Sequence, residues 1–185
     1  MDGTLLDARN GGYYDTVTSP GSPGYLNRPQ KPIDENSLAS IVLMKLYHAT
    51  GDEAYHERAR STLKILSTEY TRYGYMASTY GLALDLFLNE PTRIAIVGPL
   101  QEPRVRQLLE TSLRAYDPRK MVIPLDPETD RERLNRMGFT AEPEPRAYVC
   151  IGKTCYPPTT EPEELLQQLS RQAQSVAEHE RSHQI

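Results

Sequence analysis

The hydrophobic pattern changes period at Pro91, and no single repeating architecture spans that change. Before it, apolar residues recur every three or four positions, the signature of helices; after it, short β-rich runs alternate with helical stretches. Residues 35–49 carry Leu38, Ile41, Val42, Met44, Leu46 and Ala49, a helical face closed by Gly51, with Asp34 or Asn36 as the expected N-cap. From a second cap at Asp52, the residues Tyr55, Ala59, Leu63, Leu66 and Tyr70 form a further stripe that ends at Gly74. A third helix near 76–88 is apolar on more than one side, which predicts burial all round. Short glycine-containing links make these helices antiparallel neighbours, so residues 1–90 read as helical hairpins behind an irregular, turn-rich start with a short aromatic strand at Tyr13-Tyr14.

Residues 91–185 follow another logic. The runs Arg93–Gly98, Met121–Leu125 and Ala147–Ile151 read as three strands. Helices are expected near 103–115, 129–136 and 162–178, and the end of the chain reads as frayed. Strands alternating with helices predict a small parallel α/β lobe. The fold class is therefore helical with a small three-stranded α/β segment.

Composition narrows the function classes. Net charge is −4 with 21 Lys and Arg against 25 Asp and Glu, interleaved rather than clustered, which argues against a nucleic-acid partner. No run of apolar residues is long enough for a membrane span, and the N-terminus lacks the basic and apolar regions of a secretory signal. A cytoplasmic location with reduced thiols is the expectation. With 12 Tyr, 2 Phe and no Trp, the core must be built from Leu, Ile, Val and Tyr.

Several motifs bear on chemistry. Asp15, Asp34 and Glu35 lie in loops or at a helix start, where paired carboxylates could serve acid–base work on a glycosidic bond, although caps and turns also favour such residues. IVGPLQEP at 96–103 has the form of a strand-to-helix turn that could present amides to a phosphate, but one glycine and Glu102 favour a plain turn. MDGTLLD at 1–7 is similar to the opening motif of haloacid-dehalogenase phosphatases without its nucleophilic first Asp, and reads as coincidence. His48 reads as a residue of a helix's C-terminal turn, and His56, His179 and His183 as polar-face residues. No metal or cofactor is expected. Cys150 and Cys155 stand in a C-x4-C spacing that fits neither thioredoxin-type motifs nor a four-ligand zinc site, and they read first as structural thiols.

Four segments in order carry a resemblance: GGYYDT (11–16), RPQKPIDENSLAS with LYHATGDEAYHERA (28–59), RIAIVGP (93–99) and AYVCIGKTCYPPTTEPEEL (147–165). Together they resemble the C-terminal part of the YyaL-like, spermatogenesis-associated protein 20 family, which joins a thioredoxin-like domain to a six-hairpin, glycosidase-like α/α toroid. The last segment is the most specific. The resemblance implies helical hairpins of a partial toroid, a link to carbohydrate metabolism, and an upstream part of the same family protein as partner. It places Asp15, Lys31, Asp34, Glu35 and Asn36 nearest a sugar site. The family's Lys-Pro-Ile-acidic-acidic-Asn lead is matched by Lys31 to Asn36, whereas the Pro-Ser-Gly-Asn that follows is replaced by Ala39-Ser40-Ile41-Val42. About three hairpin helices cannot enclose a central cavity, so the chain is not expected to be catalytic alone. Two further readings are an interaction module docking on an upstream-encoded partner, and a redox accessory role for Cys150 and Cys155.

Overall fold

A computed structural model describes residues 4–17, 21, 23–152 and 154–171. It divides into two compact units, Met1–Asn89 and Glu90–Ile185. The first three residues of MDGTLLD, His179, His183 and the end of the expected last helix lie outside the described residues.

The first unit holds three helices, α1 (Ile33–Thr50), α2 (Glu53–Leu66) and α3 (Ser78–Leu88). Single 3-10 turns at Tyr70–Arg72 and Gly74–Ala77 lead from α2 into α3. α1 is central, packing on both others more extensively than they pack on each other. Gly51 closes α1 with its N–H on Tyr47 O at 2.7 Å, and Asp52 then caps α2 by accepting from Ala54 N at 2.9 Å. Two apolar clusters result. One joins Ile33, Leu63, Leu66, Ala77, Tyr80 and Ala83; the other joins Tyr13, Leu43, Met44, Ala59 and Leu86.

Several expectations change here, the first being that α2 ends at Leu66 and leaves Tyr70 in a 3-10 turn rather than on its stripe. The N-cap of α1 is Pro32, in extended backbone, and neither Asp34 nor Asn36 caps the helix. Proline's fixed φ suits a helix entrance, which moves the start ahead of both polar residues. Before α3, the stretch from Gly74 to Ala77 is a 3-10 turn, so Met76 falls outside the helix. α3 also buries one stripe, Tyr80, Ala83 and Leu86, and leaves Leu82 and Leu88 exposed, because its neighbours cover a single side. Tyr13 forms a lone antiparallel bridge with Leu6 rather than a strand.

The second unit is built on a four-stranded sheet, β1 (Thr92–Val97), β2 (Met121–Leu125), β3 (Arg146–Ile151) and β4 (Thr154–Cys155), in the order β2-β1-β3-β4. Helices α4 (Pro103–Arg114) and α5 (Arg131–Met137) separate the first three strands, and residues 162–171 form a last helix, α6. One face of the sheet packs Ile94, Ile96, Ala147 and Val149 against Val105 and Leu108 of α4 and Leu165 and Leu169 of α6. The other packs Ala95, Val97, Ile123 and Leu125 against Leu134 of α5. Covered on both faces, β1 is a nearly continuous apolar run, as a central strand must be.

β1 and β2 are parallel, joined through α4, but β3 runs antiparallel to β1, so the sheet is mixed rather than parallel and has a fourth strand. The reason lies in α5. At seven residues it carries the chain roughly 10 Å, half the length of a six-residue strand. Gly138 then ends it with φ 75°, and Phe139 N returns to Leu134 O at 3.0 Å, a reversal that sends the chain back toward the end of the sheet it had just left. Lys120 ties the α4–β2 connection by donating to the carbonyls of Ser112 (2.9 Å), Leu113 (2.7 Å) and Ala115, and its burial pushes the ammonium's pKa down.

Because Gly138 needs a left-handed backbone, Gly138→Ala is expected to lower the stability of this unit by about 1 kcal/mol. Urea unfolding followed by far-UV circular dichroism, or by amide exchange at Leu134–Phe139, measures it.

Candidate functional site

The polar residues that the sequence singles out near the N-terminus fall into two groups. Lys31 and Asn36 belong to one cluster, where the loop of residues 4–17 lies against the start of α1. Gly11 and Gly12 turn that loop with φ of 82° and 76°. A Cβ on Gly11 would meet the backbone of Ser61, and one on Gly12 would displace the tip of Ile65, in a left-handed backbone that disfavours a side chain at both. The glycines thus let the loop backbone lie directly on α2.

Asn36 is fully buried and uses its whole amide. Its Oδ1 accepts from Tyr13 N at 2.6 Å, and its Nδ2 donates to Tyr13 O at 2.9 Å and to Pro32 O at 2.9 Å. A side-chain amide pairing with both groups of one residue imitates a strand neighbour, which satisfies Tyr13 where no strand runs beside it.

Asp7 is the hub of the same loop. Its Oδ1 accepts from Arg9 N and Asn10 N, both at 3.0 Å. Its Oδ2 accepts from Asn10 Nδ2 at 3.0 Å, Tyr14 Oη at 2.9 Å and Lys31 Nζ at 2.8 Å. Lys31 also donates to Gly11 O at 2.7 Å and lies 4.9 Å from the centre of the Tyr14 ring. The Lys31 ammonium, then the Asn10 amide groups, hold the Asp7 carboxyl far below the usual carboxylate range, and the same carboxylate pushes the Tyr14 phenol up. Asp7 was not singled out by sequence reasoning, which read its surroundings only as a motif match. The available signal was the D-x-x-N spacing of an Asx turn at Asp7 and Asn10.

The remaining candidates lie elsewhere. Asp34 and Glu35 are exposed, in the first turn of α1, where negative charge complements the helix dipole. Asp15 is exposed and exchanges two bonds with Gln30: Asp15 N donates to Gln30 O, and Gln30 N donates to Asp15 Oδ1, each at 2.9 Å. Among the described residues Asp34 and Glu35 are not hydrogen-bonded to the loop cluster, and the side-chain amide of Asn36 is occupied within the fold. The cluster has the construction of a clamp.

In the second unit, the turn after β1 is likewise occupied. Gly98 N donates to Leu125 O at 3.1 Å, and Leu100 N donates to Asp126 Oδ2 at 3.1 Å. Asp126 also accepts from Glu128 N at 2.9 Å, and these amides hold its carboxyl below its ordinary range. A protein carboxylate thus occupies the Leu100 amide that a phosphate would need, and the stretch at 96–103 is a plain turn.

Cys150 and Cys155 are joined in a disulfide, which corrects the expectation of reduced structural thiols. They face each other in the β3–β4 register, an arrangement that spacing alone does not reveal because it depends on Ile151 pairing with Thr154. Cys150 is buried and Cys155 exposed. Among the described residues no group of three or more His, Cys, Asp or Glu side chains is placed to hold a metal ion, and no helix is long and apolar enough to cross a membrane. No family model, curated protein or solved structure matches the chain.

Two outcomes test the clamp. Asn36→Ala leaves Tyr13 N, Tyr13 O and Pro32 O without this partner, and is expected to cost roughly 2–4 kcal/mol in chemical unfolding. Asn36→Asp is expected to fare worse, since a carboxylate would face two carbonyls. For Asp7, whose carboxyl is depressed, the unfolded state binds the extra proton, so its contribution is complete above the unfolded value near ~3.9 and fades as pH falls below it. Asp7→Asn should therefore melt below the native protein at pH 7, with the gap narrowing toward acid. Amide exchange at Gly11 and Tyr14 across that range reads it locally.

Proposed function

We propose that this chain is a helical-hairpin and α/β piece of a larger helical assembly of the YyaL-like type, built to be covered by a neighbouring hairpin and not catalytic by itself. The observation that carries the reading is the apolar ridge on the free side of α1, whose packed side mixes Ile33, Leu43 and Met44 with buried polar residues. The side of α1 toward α2 and α3 contains Asn36, Ser37 and Ser40, all fully buried. Ser37 Oγ and Ser40 Oγ donate to Ile33 O and Asn36 O, one turn back, at 2.6 and 2.9 Å, so these small polar residues pack closely without needing an outside partner. Its opposite side carries Leu38, Val42 and Leu46, left 55%, 55% and 38% exposed.

A helix that carries large apolar residues on its free side as well as its packed side suits the interior of something larger. α2 supplies the contrast, with its charged residues outward and Ala59, Leu63 and Leu66 inward, as an outer helix of such an assembly would have them. Spacing of four along α1 makes Leu38, Val42 and Leu46 one ridge, the form that seats in the groove of another helix. Covering these three half-exposed side chains would contribute on the order of 1 kcal/mol each.

The ligand class that goes with this reading is carbohydrate, on the resemblance, and the proposed location is cytoplasmic. Asp34, Glu35 and Lys45, exposed on α1, are then the polar groups beside the covered ridge; Asn36 and Lys31 act behind them as fold residues.

The purified chain is expected to self-associate in sedimentation velocity, and the Leu38→Ser, Val42→Ser, Leu46→Ser triple variant to sediment as a monomer with unchanged helical circular dichroism. A native chain that stays monomeric and melts cooperatively would overturn the reading. A panel of mono- and disaccharides tested by thermal shift, with the upstream segment supplied, decides the ligand class: no shift removes carbohydrate.

A further inference from the structure

Independently of how α1 is covered, we propose that the Cys150–Cys155 disulfide is a thiol–disulfide exchange site that reacts with a dithiol, entered at Cys155 and released at Cys150. Three observations converge on it. The two residues are direct register partners across β3 and β4, and β4 is a two-residue edge strand, so one side of the bridge has nothing beyond it in the sheet. Their sulfurs differ in access, since Cys150 is 2% exposed while Cys155 is an exposed residue. Finally, a cation stands on the buried side. Arg93 is the register partner of Cys150 on β1, so both side chains leave the same face of the sheet. Arg93 Nη2 donates to Gly152 O at 2.7 Å, which anchors the guanidinium beside the hairpin.

These features divide the labour between the sulfurs. An incoming thiolate reaches Cys155 Sγ, forms a new S–S bond with it and breaks the bond to Cys150, whose sulfur leaves with the electron pair as a thiolate. Burial opposes that charge and the Arg93 guanidinium favours it, so Arg93 is a positioning residue for the departing thiolate. The second thiol of the partner, deprotonated, then attacks the mixed disulfide at its own sulfur. It expels Cys155 as a thiolate and closes the partner's disulfide. The protein disulfide is reduced to two thiols and the dithiol is oxidised, with no other reactant; the reverse reaction oxidises a dithiol partner.

The edge position also limits what the reaction disturbs. Below the bridge, Tyr156 N still donates to Val149 O at 2.9 Å, and Ala147 and Thr159 exchange bonds at 2.8 and 3.0 Å. These hold the segment leading to α6 against β3 whether or not the sulfurs are joined.

Dithiothreitol is the probe, applied to the folded, oxidised chain without denaturant and quenched with iodoacetamide for mass analysis. Both cysteines are expected to become alkylated while the circular dichroism spectrum stays native. With oxidised glutathione, Cys150→Ser is expected to form a mixed disulfide at Cys155 about tenfold faster than Cys155→Ser forms one at Cys150, following access. In the Cys155→Ser background, the thiolate absorbance of Cys150 should appear at higher pH when Arg93→Gln is added. It should appear at lower pH with Glu90→Gln, because Glu90 lies against Gly152 at the same turn. A disulfide that yields only in denaturant, equal labelling of the two single-cysteine variants, or a Cys150 midpoint unmoved by Arg93→Gln would overturn the proposal.

Discussion

The first unit depends on one buried amide. Asn36 sits at the root of α1 with no exposed surface, and its bonds to Tyr13 bring the N-terminal loop to the helix. Without that pairing the buried N–H and C=O of Tyr13 would lose the amide that matches them, at a cost of about 1–3 kcal/mol each, comparable to the gain from burying the ring. With it, Tyr13 joins Leu43, Met44, Ala59 and Leu86 as part of the core. The Asp7 network then fixes the loop from its other end, and the two glycines let it lie close enough to α2 for both attachments to hold. Polar groups that looked like chemistry are here the fasteners of a loop to a helix.

The same helix carries the exposed apolar ridge of this unit. α1 spends its small polar residues on close approach to α2 and α3, leaving its leucine and valine ridge for the other side. In the second unit both faces of the sheet are covered by its own helices, with Leu113 and Leu166 left exposed on α4 and α6.

Much of this was legible in the sequence. The change of period at Pro91, the stripe from Tyr55 as far as Leu66 though not on to Tyr70, the Asp52 cap and the bounds of β2 follow from patterns that depend only on neighbours along the chain. What was not legible depends on contacts far apart in sequence. The direction of β3 turns on how far α5 carries the chain before Gly138. The burial of Asn36 turns on Tyr13, twenty-three positions away. The α1 ridge was read as a packed face because periodicity reports that residues share a side without reporting what faces it. The disulfide escaped because the C-x4-C spacing was compared with redox and metal motifs, not with the register of a hairpin.

Lys120 has a consequence for how this chain can vary. One ammonium gathers carbonyls from the last turn of α4, so the connection between Arg114 and Met121 is measured against the helix end it returns to. Adding or removing a residue there would carry the charge off its acceptors and leave carbonyls at a helix terminus without a donor. A surface connection ordinarily tolerates changes of length; this one is gauged, and the spacing between α4 and β2 is as fixed as the strands themselves.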